Sequence, residues 1–143
     1  MTISAYIVNF LKHYDGIEID TNHVADGSDQ YGLFKSPSRD IKDFTDGSYQ
    51  ITEYYQFLAR HSAASRSERK EADEWLEDLA YWIDDFSYNY SFPSIDGNRE
   101  VVGISITGSP YPAEANDTEA LCQISLSITY TRERGNCKWV MKD

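Results

Sequence analysis

The chain has 143 residues, 41% of them hydrophobic and 14% aromatic, which excludes a disordered chain and fits one domain able to bury about 70% of its unfolded surface. Its formal net charge of −11 excludes a nonspecific nucleic-acid binder, because phosphate contact needs a concentrated basic surface. No window approaches the roughly 20 apolar residues of a membrane span, and Met1 to Tyr6 carries neither a basic segment nor an apolar run, so no secretory signal is expected and the cytoplasm is the default site of synthesis.

Thr2 is placed to cap a first helix, in which Ile3, Ile7, Phe10, Leu11 and Tyr14 recur at spacings of three and four. Asp15-Gly16 ends it, and a short strand is expected around Ile17 to Asp20. After the polar loop Asp26-Gly27-Ser28-Asp29, Tyr31 to Phe34 reads as a second short strand halted at Pro37. Arg39 to Phe44 is a weakly patterned arm, and Asp46-Gly47 marks a hairpin turn, since both residue types tolerate positive φ. The outgoing strand, Tyr49 to Leu58, sets Tyr49, Ile51, Tyr55 and Phe57 on one face and the uncharged Gln50, Thr52, Tyr54 and Gln56 on the other.

Ala63 to Phe86 is the clearest helix, with a Ser65 or Ser67 cap and a stripe of Ala72, Trp75, Leu76, Leu79, Ala80, Ile83 and Phe86 broad enough to cover a sheet. Phe92-Pro93 and Asp96-Gly97-Asn98 break the chain before a strand over Glu100 to Thr107, where Val102, Ile104 and Ile106 face one way and Val101, Gly103, Ser105 and Thr107 the other. Ser109 to Asp117 reads as an irregular loop. Cys122 to Thr131 then alternates without a break: Cys122, Ile124, Leu126, Ile128 and Tyr130 form an apolar face, and Gln123, Ser125, Ser127, Thr129 and Thr131 an uncharged polar one. Gly135-Asn136 is expected to turn the chain into a short terminal hairpin over Cys137 to Met141.

The order is therefore α-β-β-β-α-β-β, an α+β fold in which a single small mixed or mainly antiparallel sheet is flanked by two helices, with residues 1–143 forming one domain. A solvated strand face normally collects Lys and Glu, which also guard against stray pairing. Two uncharged faces side by side instead make one broad surface suited to lie against a ligand, a subunit or the axis of a ring.

Chemistry-bearing motifs are scarce. His13, His23 and His61 stand in no nucleophile–base arrangement, and both the Gly-x-Ser-x-Gly elbow and phosphate-cradling glycine loops are missing. Cys122 and Cys137 match no close-spaced metal motif, and Cys122 reads as a buried thiol. Glu71, Asp73, Glu74, Glu77, Asp78, Asp84 and Asp85 crowd the long helix, where a solvated face explains them better than a metal or acid–base site. No catalytic, cofactor-binding or metal residue is assigned, and no enzymatic activity is expected. Arg66, Arg69 and Lys70 lie in the first turns of that helix and Asp84 and Asp85 in the last, a polarity opposed to the helix dipole. Such charges suit oppositely charged groups on a neighbour. Tyr54, Tyr88, Tyr90 and Tyr111 fall off the stripes or in loops, as interface aromatics often do.

The run Tyr31-Gly32-Leu33-Phe34-Lys35-Ser36-Pro37, followed by Asp46 to Phe57, resembles small minor capsid or tail terminator proteins of long-tailed phages of Gram-positive bacteria. The helix with Glu74-Trp75-Leu76 and the alternating run Cys122 to Tyr130 are similar to that group too, so the resemblance spans roughly residues 3 to 134. It implies a structural protein of a phage tail or phage-tail-like particle, found in the host cytoplasm during assembly and then at the head-proximal end of the virion tail. Its copies would form a ring, usually a hexamer, that caps the tail tube protein and docks the head connector or stopper protein. The surfaces expected to meet a neighbouring subunit or the tube are Gln50, Thr52, Tyr54, Ser125, Ser127 and Thr129 on the strands, with Arg66, Arg69, Lys70, Asp84 and Asp85 on the helix. Two other readings stay open: a small-molecule-binding or enzymatic α+β domain whose uncharged sheet face lines a pocket, and an acidic phage-encoded inhibitor of a basic host protein.

Overall fold

A computed structural model describes residues 1–135, 139 and 141. Among them the chain runs α1 (Ile3–Leu11), β1 (Ile19–Thr21), β2 (Gln30–Asp43), β3 (Ser48–Ser62), α2 (Arg66–Asn89), β4 (Arg99–Ala115) and β5 (Glu119–Glu133). The strands make one five-stranded sheet in the order β1-β2-β3-β5-β4. β1 runs parallel to β2 and the other pairs are antiparallel, so the sheet is mixed and the architecture α+β with two helices.

Local chemistry starts each helix. Thr2 accepts the Ala5 backbone N–H at 3.1 Å to open α1, and Asp15 and Gly16, both near φ +60°, turn the chain away after it. Ser65 accepts the Glu68 N–H at 3.1 Å to open α2, while the Glu68 carboxylate reaches back to the Ala64 N–H at 3.2 Å. Two otherwise orphaned donors are thus met by one Ser-x-x-Glu sequence.

Both helices cover the same side of the sheet. Ile7 and Leu11 of α1 and Leu76, Leu79 and Ile83 of α2 join one core with Leu33, Ile51, Tyr55, Phe57, Ile104, Ile124, Leu126 and Ile128. Where the helices meet, Phe10 stacks on Trp82 at 4.9 Å and meets Phe86 and Phe92 edge-on. Tyr14 donates to the Trp75 carbonyl, Tyr6 to the Pro93 carbonyl, and Ser87 to the Ile104 carbonyl, which pins α2 to β4.

The strands run longer than the sequence suggests. β2 does not stop at Pro37, and Arg39 to Asp43 is its second half. Pairing to β3 breaks between Lys35 and Arg39, and among the described residues no strand flanks β2 on its other side beyond Leu33, so Pro37 sits in an irregularity on an open edge. β4 likewise runs through Pro110 and Pro112 to Ala115, where an irregular loop was expected. It is an edge strand whose register shifts four times, and such breaks accommodate proline and discourage edge-to-edge pairing. One of those shifts, between Val101 and Gly103, reverses the expected facing. Val101 packs on the core, and Val102 is 61% exposed. The Asp46-Gly47 hairpin forms, but only Gly47 takes positive φ, at +92°. Asp46 instead accepts the Ser48 N–H at 2.9 Å. The terminal hairpin expected over 137–141 lies largely outside the described residues.

Candidate interaction surface

The face of the sheet turned away from both helices carries the sequence-predicted strand residues. β3 and β5 lie side by side in unbroken register, pairing Gln50 with Thr131, Thr52 with Thr129, Tyr54 with Ser127, and Gln56 with Ser125. β4 continues three of these rows, with Gly103 beside Thr129, Ser105 beside Ser127, and Gly108 beside Ser125. The result is a belt across three strands without a single ionisable carboxylate or ammonium group at its centre. Thr52 and Thr129 join hydroxyls across the strands at 3.0 Å, and Ser127, sheltered between its neighbours, is buried although no helix covers it.

Charge begins at the borders. Asp40 and Lys42 of β2 stand opposite Thr52 and Gln50, and Glu100 of β4 stands opposite Thr131. At the other end Arg60 and Glu119 approach to 3.9 Å. The Tyr54 hydroxyl donates to the Asp40 carboxylate, and that bond holds its pKa above the ordinary value. The belt shares the charge depletion of protein-contact cores but is richer in serine and poorer in aromatic residues than such cores are.

The helix residues of the predicted set lie elsewhere. Arg66, Arg69 and Lys70 are exposed near the start of α2, on the opposite side of the sheet from the belt, and Asp84 and Asp85 are exposed near its end. A helix of 24 residues is about 36 Å long, so these two groups do not meet within one chain. Arg69 donates to the Ala63 carbonyl at 3.0 Å, which anchors part of the basic set to its own helix start. The structure therefore brings together Gln50, Thr52, Tyr54, Ser125, Ser127 and Thr129 and leaves the α2 charges as two separate exposed groups. Tyr88, Tyr90 and Tyr111 are exposed as expected for residues off the stripes.

Two buried polar groups escaped the sequence reading. Glu53 continues the inward row of Ile51 and Tyr55, where it accepts the Tyr130 hydroxyl at 2.7 Å and pairs with Lys35 at 2.7 Å. Burial, followed by the bond to Glu53, raises the Tyr130 pKa, and the same carboxylate raises that of Lys35. His61 lies on the inward row of β3, one residue before that strand ends at Ser62. The signal for both was alternation itself: counting by twos from Ile51 lands on Glu53 and His61. The Cys122 thiol is buried, and burial pushes its pKa up, which makes it a core group and a poor nucleophile.

The larger hollows open on the helix side. One of about 660 Å³ lies between α1 and the end of α2, walled by Tyr6, Phe10, Trp82, Phe86 and Phe92, and others flank α2 toward β4 and toward β2. Among the described residues no three His, Cys, Asp or Glu side chains are placed to hold a metal ion, and no helix is long and apolar enough to cross a membrane. Comparison of the chain with protein-family models and with curated proteins finds no match.

Proposed function

We propose that this chain is an assembly protein of a phage tail or phage-tail-like particle: a tail terminator whose copies close into a ring, most simply of six, on the head-proximal end of the tail tube. The supporting observation is the uncharged belt of β3, β5 and β4, which lies on the face that neither helix covers and is bordered by charge. A tail tube grows because each ring presents a face that the next can join. A terminator occupies that face and offers a different one to the head connector. Identical subunits do this when head-to-tail contacts close after a full turn. The belt supplies one contact, and the exposed basic and acidic ends of α2 supply two complementary patches that cannot satisfy each other within one copy. On this reading the protein acts by occupying surfaces, with no catalytic step and no cofactor.

The test is the mass of the purified chain, alone and with isolated tail tubes, over a range of concentration and salt. Native masses at six times 16.4 kDa, or six-fold rings on tube ends, are expected. Ser125→Glu, which places a charge in the belt, should remain folded and lose assembly, since an unpaired charge taken out of water costs several kcal/mol. A wild-type chain that stays monomeric throughout and ignores tube ends would contradict the proposal.

A further inference from the structure

Beside the first turns of α2 is a hollow of about 600 Å³ bordered by Asp15, Asp29, Glu68 and Glu71, with Trp75 and Tyr31 as its aromatic wall. The two rings stack at 5.3 Å, and the Trp75 indole N–H donates to Asp15 at 3.1 Å. His61 lines the same hollow, edge-on to Trp75 at 5.0 Å, and is only 7% exposed. Its Nδ1 lies 3.7 Å from an Asp29 carboxylate oxygen, while its Nε2 is buried with no hydrogen-bond partner among the described residues. A buried imidazole nitrogen normally has a partner, so this one marks a place where a ligand atom is wanted.

The lining decides the chemistry of that ligand. Four carboxylates make the local field negative: burial and then Asp29 and Asp15 push the Tyr31 hydroxyl up to about 12. At the start of α2 the Ser65 hydroxyl accepts the Glu68 N–H and the Glu68 carboxylate accepts the Ala64 N–H. The Asp29 carboxylate favours the imidazole tautomer with its proton on the facing Nδ1, which would leave Nε2 as an acceptor. An N–H donor carrying positive charge meets all of these features. A bare metal ion does not, since no three potential ligands converge among the described residues. A planar cation that spans several ångströms and lies against the Trp75 ring does.

We propose that this hollow is a binding site for a guanidinium group, with His61 Nε2 as acceptor, Trp75 as the aromatic wall, and Asp29, Glu68 and Glu71 as counter-charges. The group is carried either by a free small organic cation or by a basic side chain of a second copy of this chain, and the chemistry of recognition is the same. The site is independent of the belt, which lies on the other side of the sheet.

The test is an NMR titration of the folded chain with methylguanidinium chloride, against sodium chloride at equal ionic strength, following the His61 ring nitrogens and the Trp75 indole N–H. Saturable shifts at both residues with methylguanidinium alone are expected. Glu71 is exposed, so Glu71→Gln spares the fold and should weaken binding roughly two- to fivefold, the range of an exposed ion pair. Trp75→Leu should weaken it by about fivefold or more. Running the titration on Ser125→Glu as well keeps the result separate from the fate of the ring proposal. If methylguanidinium lowers the mass of an assembled wild-type sample, the natural occupant is a side chain of a second copy. If the mass is unchanged while the shifts saturate, it is a free cation. Absence of saturable shifts in both proteins, or equal affinity in wild type and Glu71→Gln, overturns the site.

Discussion

Leu126 and Ser125 are neighbours on β5 whose side chains point to opposite faces of one strand, so a pair of alanine substitutions measures which face is core. Leu126 is fully buried, opposite Tyr55 on β3 and Ile106 on β4, and belongs to the cluster shared with both helices. Central strands cannot collapse into a void without breaking ladders on both sides, so Leu126→Ala is placed in the middle of the ~2–5 kcal/mol range, near 3 kcal/mol. Ser125 faces the uncovered belt beside Gln56 and Gly108, so Ser125→Ala should cost under about 1 kcal/mol. A domain of 143 residues has an unfolding entropy near 0.3 kcal/mol/K, which converts these costs into a Tm loss of roughly 10 °C for the first and under about 3 °C for the second. Thermal unfolding at two protein concentrations separates the fold from any assembly, because only the latter makes Tm depend on concentration. Equal and large losses from both substitutions, independent of concentration, would show that the sheet is covered on both sides within one chain and would remove the basis for an open belt.

Glu53→Ala should cost about 2–3 kcal/mol in chemical denaturation, because the buried Tyr130 hydroxyl loses a charged acceptor, and Glu53→Gln should cost less. Gly32→Ala should destabilise by about 1–3 kcal/mol, since a Cβ there would lie 2.3 Å from the His23 carbonyl oxygen, a backbone atom that cannot simply swing away. Stability should also fall at both pH extremes. Tyr31, Tyr130 and Lys35 all have raised values in the folded chain, so they hold protons the unfolded chain releases, and stability is lost as pH climbs past about 10. Burial lowers His61 against the opposing pull of Asp29, so the unfolded chain binds its proton first and stability declines as pH falls below 6.5; an NMR midpoint for His61 above 6.5 would refute that sign.

Much of the fold was legible because period and punctuation agreed. The Thr2 cap, the α2 stripe, the Asp46-Gly47 turn and the alternation from Cys122 to Tyr130 each rest on local chemistry, and each has its counterpart in the structure. What failed was the assumption that proline ends a strand. Pro37, Pro110 and Pro112 lie at register shifts on strand segments with one open side, where a missing N–H is tolerated. Val102 was misfaced for a related reason: a register shift inserts one residue, and period two then assigns its neighbours to the wrong side. The belt itself was readable as two uncharged faces, and their adjacency needed only that β3 and β5 pair. The hollow around His61 was not readable, because Asp15, Asp29, His61 and Trp75 come from four separate segments that only the packing of α2 on β2 and β3 unites.

The most direct measurement is electron microscopy of particles from a strain in which this gene alone has been deleted. The account predicts filled heads without attached tails and tails of abnormal length, with the other virion proteins still made. Attachment and normal length should be restored by the wild-type gene and not by the Ser125→Glu variant. Normal, infectious particles from the deletion strain would contradict the account, whatever the oligomeric state of the purified protein.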